Sequence, residues 1–129
     1  MTRDPYKLEA FQLADSLVGD LYRASGGFPA AERFGLQAQL RRAAVSVTAN
    51  LVEGCARRSE RDYLHFVGIA IGSASEVRYL LRLSVRLGFI EQAAGEELAH
   101  GYGRVARALQ SLVTAILSGR RPKSEARSP

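Results

Sequence analysis

Apolar residues recur every three or four positions along most of the chain, the period of one face of an α-helix. Phe11, Ala14, Leu17, Val18 and Leu21 share one arc. Asp4-Pro5 precedes them as an N-cap followed by proline at the first helical position, where the missing N–H costs nothing. Ser25-Gly26-Gly27-Phe28-Pro29 ends this first helix, because paired glycines and a proline cannot continue it cheaply. A second helix is expected over about residues 30–56, with Leu36, Leu40, Ala43, Val47 and Leu51 as its principal apolar stripe. Ser59-Glu60-Arg61-Asp62 fits a capping box that opens a third helix. That helix carries Tyr63, Phe66, Ala70, Val77, Leu81 and Val85 and stops at Gly88. A fourth follows from about residue 91 with Leu98, Tyr102, Val105, Leu109, Leu112 and Ile116. Gly101 and Gly103 weaken it by about 1 kcal/mol each relative to alanine, and Gly119 ends it.

Strand signals are nearly absent: the β-prone runs at 45–47 and 69–71 each lie inside a longer helical pattern. Four long helices with short connections predict an all-α fold, an antiparallel up-down-up-down four-helix bundle. The bundle domain is placed over residues 1–119, and residues 120–129 are expected to be a flexible basic tail.

The second helix has two apolar sides. At 100° per residue, Gln39, Arg42, Ser46, Asn50 and Glu53 fall on a polar stripe. The core stripe flanks it on one side, and Phe34, Ala38, Val45, Ala49 and Val52 lie on the other. A bundle helix needs one apolar face, so the second set predicts an interface with another copy of the chain, with partial cover by the chain's own long helices as the alternative. On the third helix, Leu64 and Ile71 lie beyond the core stripe, and Gly68, Gly72 and Ser75 form a small-residue strip that lets a neighbouring helix approach. Glu76 sits at the edge of the core arc beside Ile69, Leu80 and Leu83; a carboxylate there wants a cation, and Arg42 is the expected partner, with a solvated Glu76 as the alternative. Arg42, Ser46, Asn50, Glu53 and Glu76 together read as a structural polar seam that fixes helix register.

Charge changes the picture only in part. The chain carries a formal +5 with 18 Lys and Arg against 13 Asp and Glu. Residues 120–129 hold four basic residues against Glu125, a net +3, which leaves +2 for the rest. Arg57, Arg58 and Arg61 nevertheless cluster at the turn after the second helix, and Arg78, Arg82 and Arg86 form an i, i+4, i+8 row. These six, joined by Arg104, Arg107 and the tail, are the candidate contacts to RNA or DNA phosphates, and a solubilising face is the competing reading. The average hydrophobic and charged content excludes wholesale disorder. The lone Cys55 excludes an intrachain disulfide. No apolar run approaches the ~18 residues of a membrane span, and no apolar leader follows Met1, so a cytoplasmic protein with no membrane partner is expected.

No catalytic constellation emerges. Ser46, Asn50 and Glu53 share a stripe without a histidine to act as base. Glu97-x-x-His100 matches the spacing of di-iron bundles, and Asp62-x-x-His65 is a near relative. Both histidines fall off the core stripe, so neither a metal site nor a cofactor is expected, and a di-metal enzyme is the remote alternative.

Phe28-Pro29 with Glu32, the run from Gly35-Leu36-Gln37-Ala38-Gln39-Leu40 through Arg41-Arg42-Ala43-Ala44-Val45-Ser46, Ala49-Asn50-Leu51-Val52-Glu53-Gly54 and Ala70-Ile71-Gly72-Ser73-Ala74-Ser75-Glu76 together carry a family resemblance. The chain resembles the four-helix-bundle proteins encoded in intervening sequences of bacterial 23S ribosomal RNA genes. The resemblance implies a closed bundle that assembles as a ring-like homopentamer. It also implies kinship with the accessory variability determinant of diversity-generating retroelements, a basic bundle that associates with a reverse transcriptase and nucleic acid. It implies no enzymatic activity. The expected function is thus a non-enzymatic, homo-oligomeric scaffold associated with RNA or nucleoprotein, with a protein-interaction adaptor as the alternative.

Overall fold

The computed structural model describes residues 2–119, all in helices, turns and short connections with no strand among them. Four helices form the body: α1 (Glu9–Ala24), α2 (Leu36–Cys55), α3 (Glu60–Arg86) and α4 (Gln92–Leu117). The tail expected over 120–129 lies outside the described residues.

The ends of the helices follow local side-chain chemistry. The Asp4 carboxylate accepts from the Tyr6 N–H, but the turn it starts is a 3-10 turn over Pro5–Lys7; extended backbone at Leu8 separates it from α1. The second helix begins six residues later than its pattern predicts. Ala30–Glu32 is a separate 3-10 turn, and Gly35, at φ −105° and ψ −114°, breaks the path. Glu32 then reaches forward, its Oε1 accepting from the Leu36 N–H at 3.1 Å to satisfy one free donor at the start of α2. Ser59 caps α3 as expected, its hydroxyl accepting from the Asp62 N–H at 3.0 Å. Gly88 stops α3 at φ +79°, a left-handed conformation open to glycine without strain.

α1 packs on α2 and α4, and α3 packs on α2 and α4, so the helices close a square with α1 diagonal to α3. Their directions can be read from which residues meet. On α2 and α3, Gly54 lies against Tyr63 and Phe66 while Ser46 meets Ser73. On α3 and α4, Val85 lies against Gly95 while Arg78 lies against Gly103. On α1 and α2, Ser25 meets Gln37 while Tyr22 meets Arg41. In each pair, higher numbers on one helix meet lower numbers on the other, as antiparallel neighbours must.

The core is filled by the expected stripes. Leu40, Val47, Leu51, Tyr63, Val77, Leu81, Tyr102, Val105 and Leu109 are buried; each large apolar side chain contributes roughly 1.5–3 kcal/mol of transfer free energy. On α3 the deep position is Val67, and Phe66 and Val85 are only half-buried. Leu64 and Ile71, expected beyond the core stripe, pack against its edge. Two helix pairs approach closely enough to require a residue without a side chain. A Cβ at Gly54 would stand 2.9 Å from Phe66 Cβ, and one at Gly95 would stand 2.3 Å from Val85 Cγ2. None of the helices in the described residues is long and apolar enough to cross a membrane.

Candidate interaction surfaces

The second apolar side of α2 is not covered by its own chain. Phe34, in the turn before α2, is 87% exposed, and Val45 and Val52 are 41% and 45% exposed. Ala49 is exposed between them and Ala38 is half-buried. On α3, Gly68, Gly72 and Ser75 are all exposed, with open space where Cβ atoms on the two glycines would stand. Ile69 adds an apolar side chain 39% exposed.

The polar seam exists in a different membership. Ser46 and Asn50 belong to it: Asn50 Nδ2 donates to the Ser46 carbonyl at 2.8 Å and to its hydroxyl at 3.0 Å. The Ser46 hydroxyl in turn pairs with the Ser73 hydroxyl of α3 at 2.8 Å, one donating to the other. Arg42 and Glu76 do not join it. Both are exposed, and no hydrogen bond or ion pair connects them; Glu76 takes the solvated alternative because its arc has turned past the α2 contact. Glu53 forms its ion pair within α2 and its end, with Arg57. The arginine that ties helices together is the neighbour of the expected one. Arg41 Nε donates to the Ser25 hydroxyl at 2.9 Å and its Nη2 to the Tyr22 carbonyl at 3.0 Å. With Gln37 Nε2 donating to the Ser25 carbonyl at 2.7 Å, it satisfies the open carbonyls at the end of α1.

The six candidate phosphate contacts fall into two groups at opposite ends of α3, roughly 37 Å apart from Arg61 to Arg86 at 1.5 Å per residue. Arg57 is partly engaged, paired with Glu53 and lying over the Phe66 ring at 5.0 Å. Arg58 and Arg61 are exposed. Arg78, Arg82 and Arg86 line a groove between α3 and α4 of about 580 Å³, to which α4 adds Arg107 and His100. Arg107 is among the further arginines that the sequence offers as phosphate contacts, and the groove places it, with His100, opposite the α3 row.

His65 is exposed and meets the edge of Phe66, and His100 and Glu97 are exposed. Among the described residues no three His, Cys, Asp or Glu side chains are grouped to hold a metal ion. Tyr102 has a clear titration shift. Burial, with a smaller contribution from the Asp20 charge, pushes its phenol well above the ordinary 10.0. It stays protonated in the folded chain.

The model of a family described as 23S rRNA-intervening sequence protein matches residues 6–111. Among solved structures, a protein with unknown function from the S23 ribosomal protein family of Bacteroides thetaiotaomicron is similar in fold. It superposes with a TM-score of 0.68 at 22% identity, over 85% of this chain and 94% of that one. None of the curated proteins matches the sequence.

Proposed function

The chain belongs to the 23S rRNA-intervening sequence protein family, and from that premise we propose that it is a non-enzymatic, self-assembling helical scaffold that associates with RNA or a nucleoprotein. The observation that carries the reading is the uncovered apolar face of α2, with Phe34 87% exposed and Val45 and Val52 each exposed by more than two fifths. Apolar side chains clustered at helical spacing on an outer face mark an interaction surface when a polar rim surrounds them. The exposed strip of Gly68 and Gly72 on α3 leaves room for a second helix at close range. A symmetric ring of copies buries such a face on every subunit and repeats each arginine cluster around the assembly, so that weak phosphate contacts add up. The family resemblance gives the pentamer as the expected ring. The RNA association rests on the family's description and on exposed Arg58, Arg61, Arg82 and Arg86.

Light scattering tests the assembly. The wild type is expected near five times the 14.1 kDa of one chain, and Val45→Asp or Val52→Asp is expected to yield smaller species. A wild-type mass of one chain refutes the scaffold. RNA association is read from fluorescence anisotropy at low salt, with affinity falling steeply as salt rises. An assembled protein that binds no RNA or DNA at low salt is an adaptor for proteins instead.

A further inference from the structure

We infer that the groove between α3 and α4 is a phosphate-binding site, formed by Arg78, Arg82 and Arg86 of α3 with Arg107 and His100 of α4. For its RNA ligand this rests on the association proposed above; as a site for phosphate oxygens it stands on the groove itself. Arg78, Arg82 and Arg86 occupy successive turns of one helix face, and Arg107 reaches the same place from the opposite wall. Gly103 is where they meet. A Cβ there would stand 3.4 Å from both Arg78 Nε and Arg107 Nη1, so two guanidinium groups gather over bare backbone.

No ion pair among the described residues neutralises this gathering. None of the four arginines forms an ion pair among the described residues. Glu96 is the only carboxylate among the lining residues, and its Oε2 accepts from Gln92 Nε2 at 3.2 Å. Arg78 Nε is enclosed and donates to no acceptor. Like charges held together, with a buried donor left open, are costly unless an anion supplies the missing charge and acceptor atoms. Four planar forks suit a phosphate, whose several oxygens can take more than one of them, better than a single carboxylate. The groove, about 580 Å³, is of the size that holds a small organic ligand. Val85 and Ala99 line part of it, an apolar wall that limits water around the bound charge and strengthens the contact.

The ligand is therefore a phosphate group, carried either on an RNA strand or on a small phosphate ester. The test uses the full chain with two probes: inorganic pyrophosphate by calorimetry, and a short fluorescein-labelled single-stranded RNA by anisotropy. The double variant Arg82→Gln/Arg107→Gln changes two exposed side chains, and Lys7→Gln/Arg23→Gln, which removes two charges outside the groove, serves as a charge-matched control. Pyrophosphate is expected to bind the wild type and the control and to displace RNA. The double variant is expected to lose roughly tenfold or more in affinity for both probes, with the salt slope for RNA reduced by about 2. Groove-dependent pyrophosphate binding without RNA binding supports the site with a small ester as ligand, and removes the RNA reading. Equal RNA affinity in wild type and double variant overturns the groove and leaves RNA association standing. Failure of both probes to bind the wild type overturns the inference.

Discussion

Arg41 Nε donates to the hydroxyl of Ser25 at 2.9 Å, tying α2 to the end of α1 at a residue that is fully buried. The same guanidinium reaches the Tyr22 carbonyl at 3.0 Å and lies over the Tyr22 ring at 4.5 Å. A cation at a helix C-terminus also interacts favourably with the helix dipole. Arg41→Ala is expected to destabilise by about 1.5–3 kcal/mol, the range for hydrogen bonds to charged groups. Arg42→Ala, at an exposed position, should stay within about 0.5 kcal/mol. Urea denaturation of the two variants measures this directly, and the reverse order would refute the assignment.

These adjacent arginines mark the limit of what periodicity conveys. Residues one apart on a helix differ by 100°, and both lie near the border of the core stripe. Which one finds an acceptor depends on where the last carbonyls of α1 arrive, a tertiary fact with no local signature. The same holds for Ser46, whose partner Ser73 sits 27 positions away on α3, inside what reads only as a run of small residues. The helices themselves were legible because local causes set them: Ser59 caps, Gly88 stops, and Leu40, Val47 and Leu51 repeat at core spacing. The start of α2 was missed because a contact four residues long, Glu32 to Leu36, competes with helix continuation through Gly35. Arg107 reads in the sequence as one more candidate phosphate contact and His100 as a histidine off the core stripe; that both share a groove with the α3 row is a property of two helices, not one.

The Ser46–Ser73 pair should couple energetically. Ser73→Ala leaves the Ser46 hydroxyl its contact with Asn50, so the expected loss is about 0.5–1.5 kcal/mol. In a double-mutant cycle with Ser46→Ala, the two losses should fall short of additive, because either substitution already removes the shared bond. Strict additivity in denaturant midpoints would show that the two hydroxyls do not interact.

Two glycine-to-alanine substitutions should move stability in opposite directions. At Gly95 a Cβ would stand 2.3 Å from Val85 Cγ2, the end of a β-branched side chain with little freedom to turn away. Overpacking there is expected to cost about 1–3 kcal/mol, more than the gain in helix propensity. At Gly72 nothing lies within 4 Å of the added atom, so the folding of a single chain should gain up to about 1 kcal/mol. If Gly72 faces a second copy, the same alanine weakens assembly while helicity is retained. Thermal melts of an unassembled Val45→Asp background, with and without Gly72→Ala, separate the two effects; a lower melting temperature there would contradict the open geometry.

Tyr102 contributes to the alkaline limb of stability. Its phenol is buried without a hydrogen-bond acceptor, and its pKa is raised by burial first and by the Asp20 charge second. Because the folded-state value lies above the ordinary 10.0, this contribution is fully present below the unfolded-chain value. It is lost as pH climbs above that value, where the unfolded chain releases a proton that the folded chain retains. Tyr102→Phe removes both the open donor and the titration. An unsatisfied buried hydroxyl costs about 1–3 kcal/mol, part of which returns as lost packing, so the variant should match the wild type at neutral pH or exceed it by about 1 kcal/mol. Its advantage should widen as the pH rises past that of free tyrosine. A variant that is less stable at neutral pH, with an unchanged alkaline slope, would show that the hydroxyl has an acceptor in solution.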